Sequence, residues 1–416
     1  MPMSQPLSQV QGSAVTGPAR AQATRARALP IDRVLLRAFL RFAGRPPVRC
    51  VLPNGDAVYE GSGEPVGSMR FRDRATLYHF LRAPEIGFGE GYTDGRIEID
   101  GDLVEIVAAA YQPVAPLVEK LFFTARRARQ NSLVGSRHNI HRHYDLGNHF
   151  YRLWLDERML YTCAYFPTPE ASLEDAQVAK MHHVCRKVGL QPGERVVEAG
   201  CGWGALAMHM AQHYGAHVRA FNISHEQISW ARERAARAGL GERIEFIEDD
   251  YRNVSGTYDC FISVGMLEHV GADHYRDFGA VIDRCLPAHG RGLIHSIGRN
   301  RPARLNAWIE KHIFPGAYPP TLGEMMPIFE PFGLSVLDVE NLRPHYERTA
   351  ADWLARFERQ VDQVRDMFDE RFVRAWRLYL AGTSVAFRIG LLQLFQVVFA
   401  RDRFNGMPWT RAHVYA

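Results

Sequence analysis

The stretch Val196-Val197-Glu198-Ala199-Gly200-Cys201-Gly202-Trp203-Gly204-Ala205 decides the fold. Paired valines lead into three alternating glycines and then into helix-forming residues, which reads as a strand, a sharp turn and a helix. Glycines let the backbone bend and approach a ligand closely, and the following helix start offers N–H groups that lack an intrahelical partner. Two ligands compete for such a turn. Gly200, Gly202 and Ala205 satisfy the spacing of a dinucleotide loop. Glu198 points elsewhere: a carboxylate two residues before the first glycine can help hold the cationic amino end of S-adenosylmethionine, whereas a pyrophosphate has no use for it. The next strand ends Ala220-Phe221-Asn222, without the acidic residue that a dinucleotide ribose wants. The turn therefore reads as an S-adenosylmethionine site, with a dinucleotide loop and a purely structural turn as the alternatives.

Outward from the turn, apolar strands alternate with helical patterns. Candidate strands are 195–199, 217–222, 244–247, 260–264 and 292–297, with helices starting near Ala205, His225 and His274. That rhythm predicts an α/β fold, a doubly wound and mostly parallel sheet. Residues 299–331 break it, with Pro315-Gly316 and Pro319-Pro320 marking an insertion. Residues 352–385 read as helix and 391–399 as a last strand. Upstream, residues 31–43 have helical spacing, placing Ile31, Val34, Leu35, Ala38, Phe39 and Phe42 on one face and Arg33, Arg37 and Arg41 off it. Residues 48–52 and 57–59 flank Asn54-Gly55 as a β-hairpin. The expected organisation is a disordered tail over 1–28, a small α+β accessory domain over 29–115, a basic linker helix over 116–140 and the cofactor-binding domain over 141–416.

Composition bounds the class. With 46% hydrophobic and 23% charged residues in 416, the chain has the make-up of an ordinary globular protein. No apolar run approaches the roughly 18–20 residues that span a bilayer. The first residues lack the apolar block of a secretory signal. The six cysteines form no Cys-x-x-Cys pair, so neither a metal site nor a disulfide framework is indicated, and a cytoplasmic setting is expected. The net charge of +4 is unevenly spread. Arginines crowd positions 20–49 and again 126–142, which suits a polyanionic surface, either nucleic acid or anionic phospholipid; solvated helix faces are the plainer explanation.

Several blocks together resemble the cyclopropane fatty acid and mycolic acid cyclopropane synthase family. They are His143-Tyr144-Asp145-Leu146-Gly147-Asn148, Met159-Leu160-Tyr161-Thr162-Cys163-Ala164-Tyr165-Phe166, the glycine turn, Ser263-Val264-Gly265-Met266-Leu267-Glu268-His269-Val270-Gly271, Leu293-Ile294-His295-Ser296-Ile297-Gly298, Tyr346 within its block, and Gln393 to Phe399. The resemblance covers roughly residues 140–402. It implies a Rossmann-like class I methyltransferase fold, with acyl-chain-binding insertions at about 299–390, and an enzyme that alkylates carbon–carbon double bonds in membrane-lipid acyl chains. An isolated alkene is a poor nucleophile, so the donor must be a strong electrophile, and attack leaves a carbocation from which a base removes a proton before the ring closes. Both partners must be held dry and aligned.

The resemblance further implies bicarbonate as that base, at positions matching Cys163, Glu268, His295, Ile297 and Tyr346 here. Taken alone, His295 is a core histidine, Tyr346 a packing aromatic and Cys163 a small buried hydrophobe. Glu268 is harder to dismiss, because it directly follows an apolar strand, where α/β sheets bind ligands. For the cofactor the resemblance adds Tyr161 and Thr162 near the methionine end, Asn222 and Gln227 near the ribose, and Asp250 with Tyr251 near the adenine. Asn222 stands where the family often has Thr, and Thr162 replaces a common Ser. Thr383 occupies a position where many members carry a cysteine, which puts the cyclopropane product in doubt and leaves a C-methylated chain as an alternative. A non-catalytic lipid-binding homologue is a third reading. The arginines lie outside the catalytic blocks, which disfavours nucleic acid and favours docking on the inner membrane surface. A homodimer is expected only from the resemblance.

Overall fold

The computed structural model describes residues 28–111 and 146–415. The expected tail, the basic helix at 116–140 and the second arginine group lie outside the described residues.

The hairpin forms as read. Strands β1 (Val48–Val51) and β2 (Ala57–Val58) pair antiparallel with Cys50 opposite Val58. β3 (Gly67–Phe71) joins β1 in parallel and β4 (Ile97–Gly101) closes this small sheet antiparallel to β3. The helix Pro30–Phe42 covers it, but with the opposite face from the one its apolar periodicity predicts. Leu36 and Leu40 are buried together with Asp32, while Ile31, Val34 and Leu35 face outward. The reason is polar. Asp32 accepts both guanidinium nitrogens of Arg74, at 2.7 and 2.9 Å, and the Tyr78 hydroxyl at 2.8 Å, and this anchor fixes which side of the helix points inward.

The larger sheet has the order β10-β11-β9-β8-β5-β6-β7. β5 (Arg195–Ala199), β6 (His217–Asn222), β7 (Ile244–Glu248), β8 (Cys260–Val264) and β9 (Arg291–Gly298) run parallel. Helices on both faces cover the central strands, so β5 and β8 are buried along nearly their whole length, whereas the edge strand β7 alternates. β10 (Leu334–Asn341) and β11 (Gln393–Arg401) finish the sheet antiparallel. Successive connections run outward in opposite directions from β5 and β8. The turn after β5 and the loop after β8 therefore sit side by side at a topological switch point, the place where open α/β sheets bind ligands.

Two expectations need correction. The region 299–390 is not all insertion, because β10 lies within it. This edge strand escapes a pattern reading: a bulge between Val336 and Asp338 breaks its alternation, and Asp338 and Glu340 are acidic. The single helix expected over 352–385 is three, Arg343–Arg359, Val361–Met367 and Glu370–Arg388. Asp369 starts the last of them by accepting the Phe372 amide at 2.7 Å, the N-cap role for which aspartate is preferred. This helix also ties the two sheets together, since Arg374 donates to the Tyr92 and Ile97 carbonyls of the smaller unit.

Candidate active site

The turn after β5 is built by left-handed glycines. Gly200, Gly202 and Gly204 have φ of +86°, +53° and +79°. A Cβ at Gly204 would lie 2.6 Å from the Phe246 ring and 2.8 Å from Ala231, so the helix Ala205–Tyr214 can start there only without a side chain. Trp203 Nε1 donates to Asn148 Oδ1 at 2.6 Å, which pins the turn to the segment that carries the Leu146-Gly147-Asn148 block.

Glu198 is buried at the end of β5, and its Oε2 has no hydrogen-bond partner among the described residues. Burial pushes its carboxyl up to about 8, with Lys180 and the Ala207 amide pulling the other way. At the end of β6, Asn222 Nδ2 donates to Gln227 Oε1 at 2.6 Å and to the Gly202 carbonyl at 3.3 Å, so this pair closes over the turn. Asp250 is held by two bonds from Arg252, at 2.8 and 2.9 Å, and burial raises the neighbouring Tyr251 phenol. Gly200, Asn222, Asp250, Tyr251, Met266 and His269 line one cleft. This cleft opens at the switch point, two residues beyond Glu198 on β5.

Beside it, the loop after β8 carries Glu268. Its Oε1 accepts the Ile297 amide at 2.5 Å, joining that loop to β9, while its Oε2 is buried without a partner. Burial raises this carboxyl to about 7, with the Ile297 amide opposing. His295 and Ile297 share one face of β9, two residues apart. His295 is buried, which pushes its pKa well below the ordinary value and keeps it neutral. Gln396 Nε2 lies 3.1 Å from His295 Nδ1, and Nε2 of the ring is buried without a partner. With the amide nitrogen donating, the ring proton sits on Nε2, a donor with nothing to donate to.

Cys163 is fully buried and its thiol is raised by desolvation, so it stays protonated; its Sγ contacts the Ala164 and Leu342 carbonyls. Tyr346 begins one turn after Leu342 and stacks on Phe387, ring centroids 4.3 Å apart. Both belong to one aromatic core with Trp154, Trp353, Trp376 and Tyr379, against which Tyr161 and Ile297 pack. Tyr161 and Tyr379 share a hydroxyl contact of 2.6 Å. Thr383, by contrast, spends its hydroxyl on the Tyr379 carbonyl within its own helix, at 2.8 Å.

Sequence reading overlooked two buried residues of the helix Leu173–Lys187. Gln177 Nε2 donates to the Thr162 carbonyl at 2.9 Å, and Lys180 Nζ donates to Thr162 Oγ1 at 2.8 Å. The available signal was their spacing of three, on the helix face that also buries Ala176, Met181 and Val184. Thr162 is therefore gripped at both its carbonyl and its hydroxyl.

Comparisons with known proteins show the family. The family model described as mycolic acid cyclopropane synthetase matches residues 132–397, and one described as a domain of unknown function matches residues 35–120. The cyclopropane-fatty-acyl-phospholipid synthase of Escherichia coli (strain K12) is 33% identical over 362 residues, 84% of this chain and 92% of that one. The tuberculostearic acid methyltransferase of Mycobacterium tuberculosis is 34% identical over 390 residues, 88% of this chain and 90% of that one. Among solved structures, mycolic acid cyclopropane synthase CmaA1 complexed with SAH and CTAB superposes with a TM-score of 0.61 at 29% identity, covering 64% of this chain and 98% of that one.

Proposed function

The chain belongs to the mycolic acid cyclopropane synthetase family, and from that premise we propose that it converts the double bond of an unsaturated phospholipid acyl chain into a cyclopropane at the surface of a membrane. S-adenosylmethionine-dependent cyclopropanation or methylation of unsaturated fatty acyl chains is the chemistry of its relatives and of this enzyme. The observation that carries the finer reading is one juxtaposition. Glu198 at the end of β5, Glu268 on the loop after β8 and His295 on β9 each bury a polar side-chain atom without a partner among the described residues, on neighbouring strands at one switch point.

S-adenosylmethionine supplies an electrophilic methyl carbon. The chain's residues fit it: Glu198 Oε2 is free to take its ammonium, Gly202 has open space where a Cβ would stand, and Asn222 with Gln227 and Asp250 with Tyr251 flank the cleft for the ribose and adenine. Tyr161 and Thr162 border the methionine end. Glu268, His295, Ile297, Cys163 and Tyr346 would together hold an anion such as bicarbonate, which supplies a base when bound. A neutral carboxyl and an Nε2–H imidazole are both donors to an anion's oxygens. Around this pocket the aromatic core excludes water and offers ring faces to developing positive charge.

The test is transfer of label. Incubation with methyl-labelled S-adenosylmethionine and vesicles of monounsaturated phospholipid is expected to place label in the acyl chains. Intact cofactor binding with no label in lipid would refute the reading. A second product is favoured by Thr383, whose hydroxyl is tied back into its helix at the family's cysteine position, namely a C-methylated chain. Proton NMR separates the two, because only a ring gives upfield ring protons.

Membrane docking is assigned to the 29–115 unit. Its first helix turns Ile31, Val34 and Leu35 to solvent, at 48%, 61% and 38% exposure. Arg37 and Arg41 share Glu60, while Arg33 and Arg45 form no ion pair among the described residues. An outward apolar stripe on an arginine-rich helix suits an anionic bilayer surface. No helix among the described residues is long and apolar enough to cross a membrane. Co-sedimentation with phosphatidylglycerol vesicles is expected, weakened roughly 20- to 30-fold by replacing Arg33 and Arg45 with alanine, at about 1 kcal/mol per arginine. Binding that ignores both this change and Ile31→Ser with Val34→Ser would rule the helix out.

A further inference from the structure

Lys180 has no part in the chemistry above, yet it is fully buried. Burying an ammonium costs several kcal/mol unless something compensates it. Its one described hydrogen bond runs to the neutral Thr162 hydroxyl, and among the described residues no carboxylate forms an ion pair with it. Two buried acids attract it, Asp156 foremost and then Glu198. Asp156 already accepts the Leu160 and Arg158 amides, whereas Glu198 Oε2 is unpartnered. Glu198 therefore has an oxygen to offer a cationic ligand, and the free amino acid end of a sulfonium donor carries an ammonium.

Resting on the reading of the turn as the seat of S-adenosylmethionine, we propose that Lys180 is a positioning residue for the methyl donor. It acts through Thr162, fixing the segment that carries Tyr161 and Cys163, and through Glu198, easing ionisation of that carboxyl for the donor's ammonium.

Among the surrounding titratable groups, Asp156 shares the charge of Lys180 with Glu198. From the segment before helix Leu173–Lys187 come Asp156 and Cys163, from the helix itself Cys185, from the turn Cys201, from helix Ala205–Tyr214 His209, and from β9 His295. Burial keeps the three thiols protonated and both histidines neutral. Burial also raises Glu198 to about 8 and lowers Lys180 to about 8, and their mutual attraction opposes both shifts. The sign follows: without the lysine Glu198 goes higher still, so ionising it for the donor at neutral pH costs more.

Calorimetric titration of the full-length protein with S-adenosylmethionine, from roughly pH 6 to roughly pH 9, tests this. For the unmodified protein, affinity rises with pH as Glu198 ionises. Lys180→Met is expected to weaken binding roughly tenfold at about pH 7 and to move that rising limb up by about one pH unit. Lys180→Arg should hold the limb in place. In a Glu198→Gln background, Lys180→Met should leave the pH profile unmoved. A folded Lys180→Met variant with unmodified melting, affinity and pH limb would overturn the proposal. Where methionine does not fold, arginine decides: a folded arginine variant with a displaced limb overturns it, and an undisplaced one supports it. Failure of the unmodified protein to bind the donor at any pH would instead remove the reading of the turn, and this inference with it.

Discussion

Glu268→Ala is expected to lower kcat by roughly 10³-fold, within the range for loss of acid–base function, while affinity for S-adenosylmethionine stays within about twofold. The carboxyl has two oxygens in different settings. Its Oε1 holds the Ile297 amide at 2.5 Å, and its Oε2 is buried without a partner among the described residues. Alanine leaves that amide without its acceptor and removes the pocket's donor. Glu268→Gln should recover much of the loss, because the amide keeps an acceptor for Ile297 and presents N–H toward a held anion. Single-turnover rates with both variants, set beside their melting temperatures, check this. A glutamine variant as inactive as the alanine one would make Glu268 itself the proton acceptor and remove the need for a bound base.

The second large effect separates folding from binding within one turn. Gly204→Ala puts a β-carbon at φ +79°, 2.6 Å from Phe246 and 2.8 Å from Ala231. A left-handed residue costs about 1–2 kcal/mol and overpacking about 1–3 more. The melting temperature should fall by roughly 5–10 °C, and donor binding should fall with it. Gly202→Ala differs, because its added carbon meets nothing within 4 Å and projects into open space. It should melt within a few degrees of the unmodified protein yet bind the donor at least tenfold more weakly, since the carbon occupies the space assigned to the ligand. Differential scanning calorimetry paired with donor titration measures both. Equal binding losses with unequal melting would support the cradle, whereas normal binding by Gly202→Ala would place the donor elsewhere.

What was legible in the sequence follows a physical divide. Strands β5 to β9 and the helices starting at Ala205 and His225 were readable because each is buried on both faces or carries a strong start signal, so its pattern is local. Glu198 and Glu268 were readable because charge at the end of an apolar strand is costly without a purpose. β10 was not, since an edge strand half open to solvent has little pattern to show. The outward turn of helix Pro30–Phe42 could not be read from periodicity, because the deciding contact is Asp32 with Arg74, 42 residues away. Lys180 and Gln177 were missed for the same reason: what singles them out is not their helix but the segment at Leu160–Thr162 that folds against it. The roles of Cys163 and Tyr346 came from resemblance alone, and the structure places both in one aromatic core without itself testing their chemistry.

The most direct measurement is the lipid profile of a bacterial host lacking its own cyclopropane synthase, expressing either this chain or its Glu268→Ala variant. The account predicts new acyl chains heavier by one CH2 bridging the former double bond, with upfield ring protons in the NMR spectrum, in the first strain and not in the second. An unchanged profile in cells where the unmodified protein is folded and binds S-adenosylmethionine would contradict it.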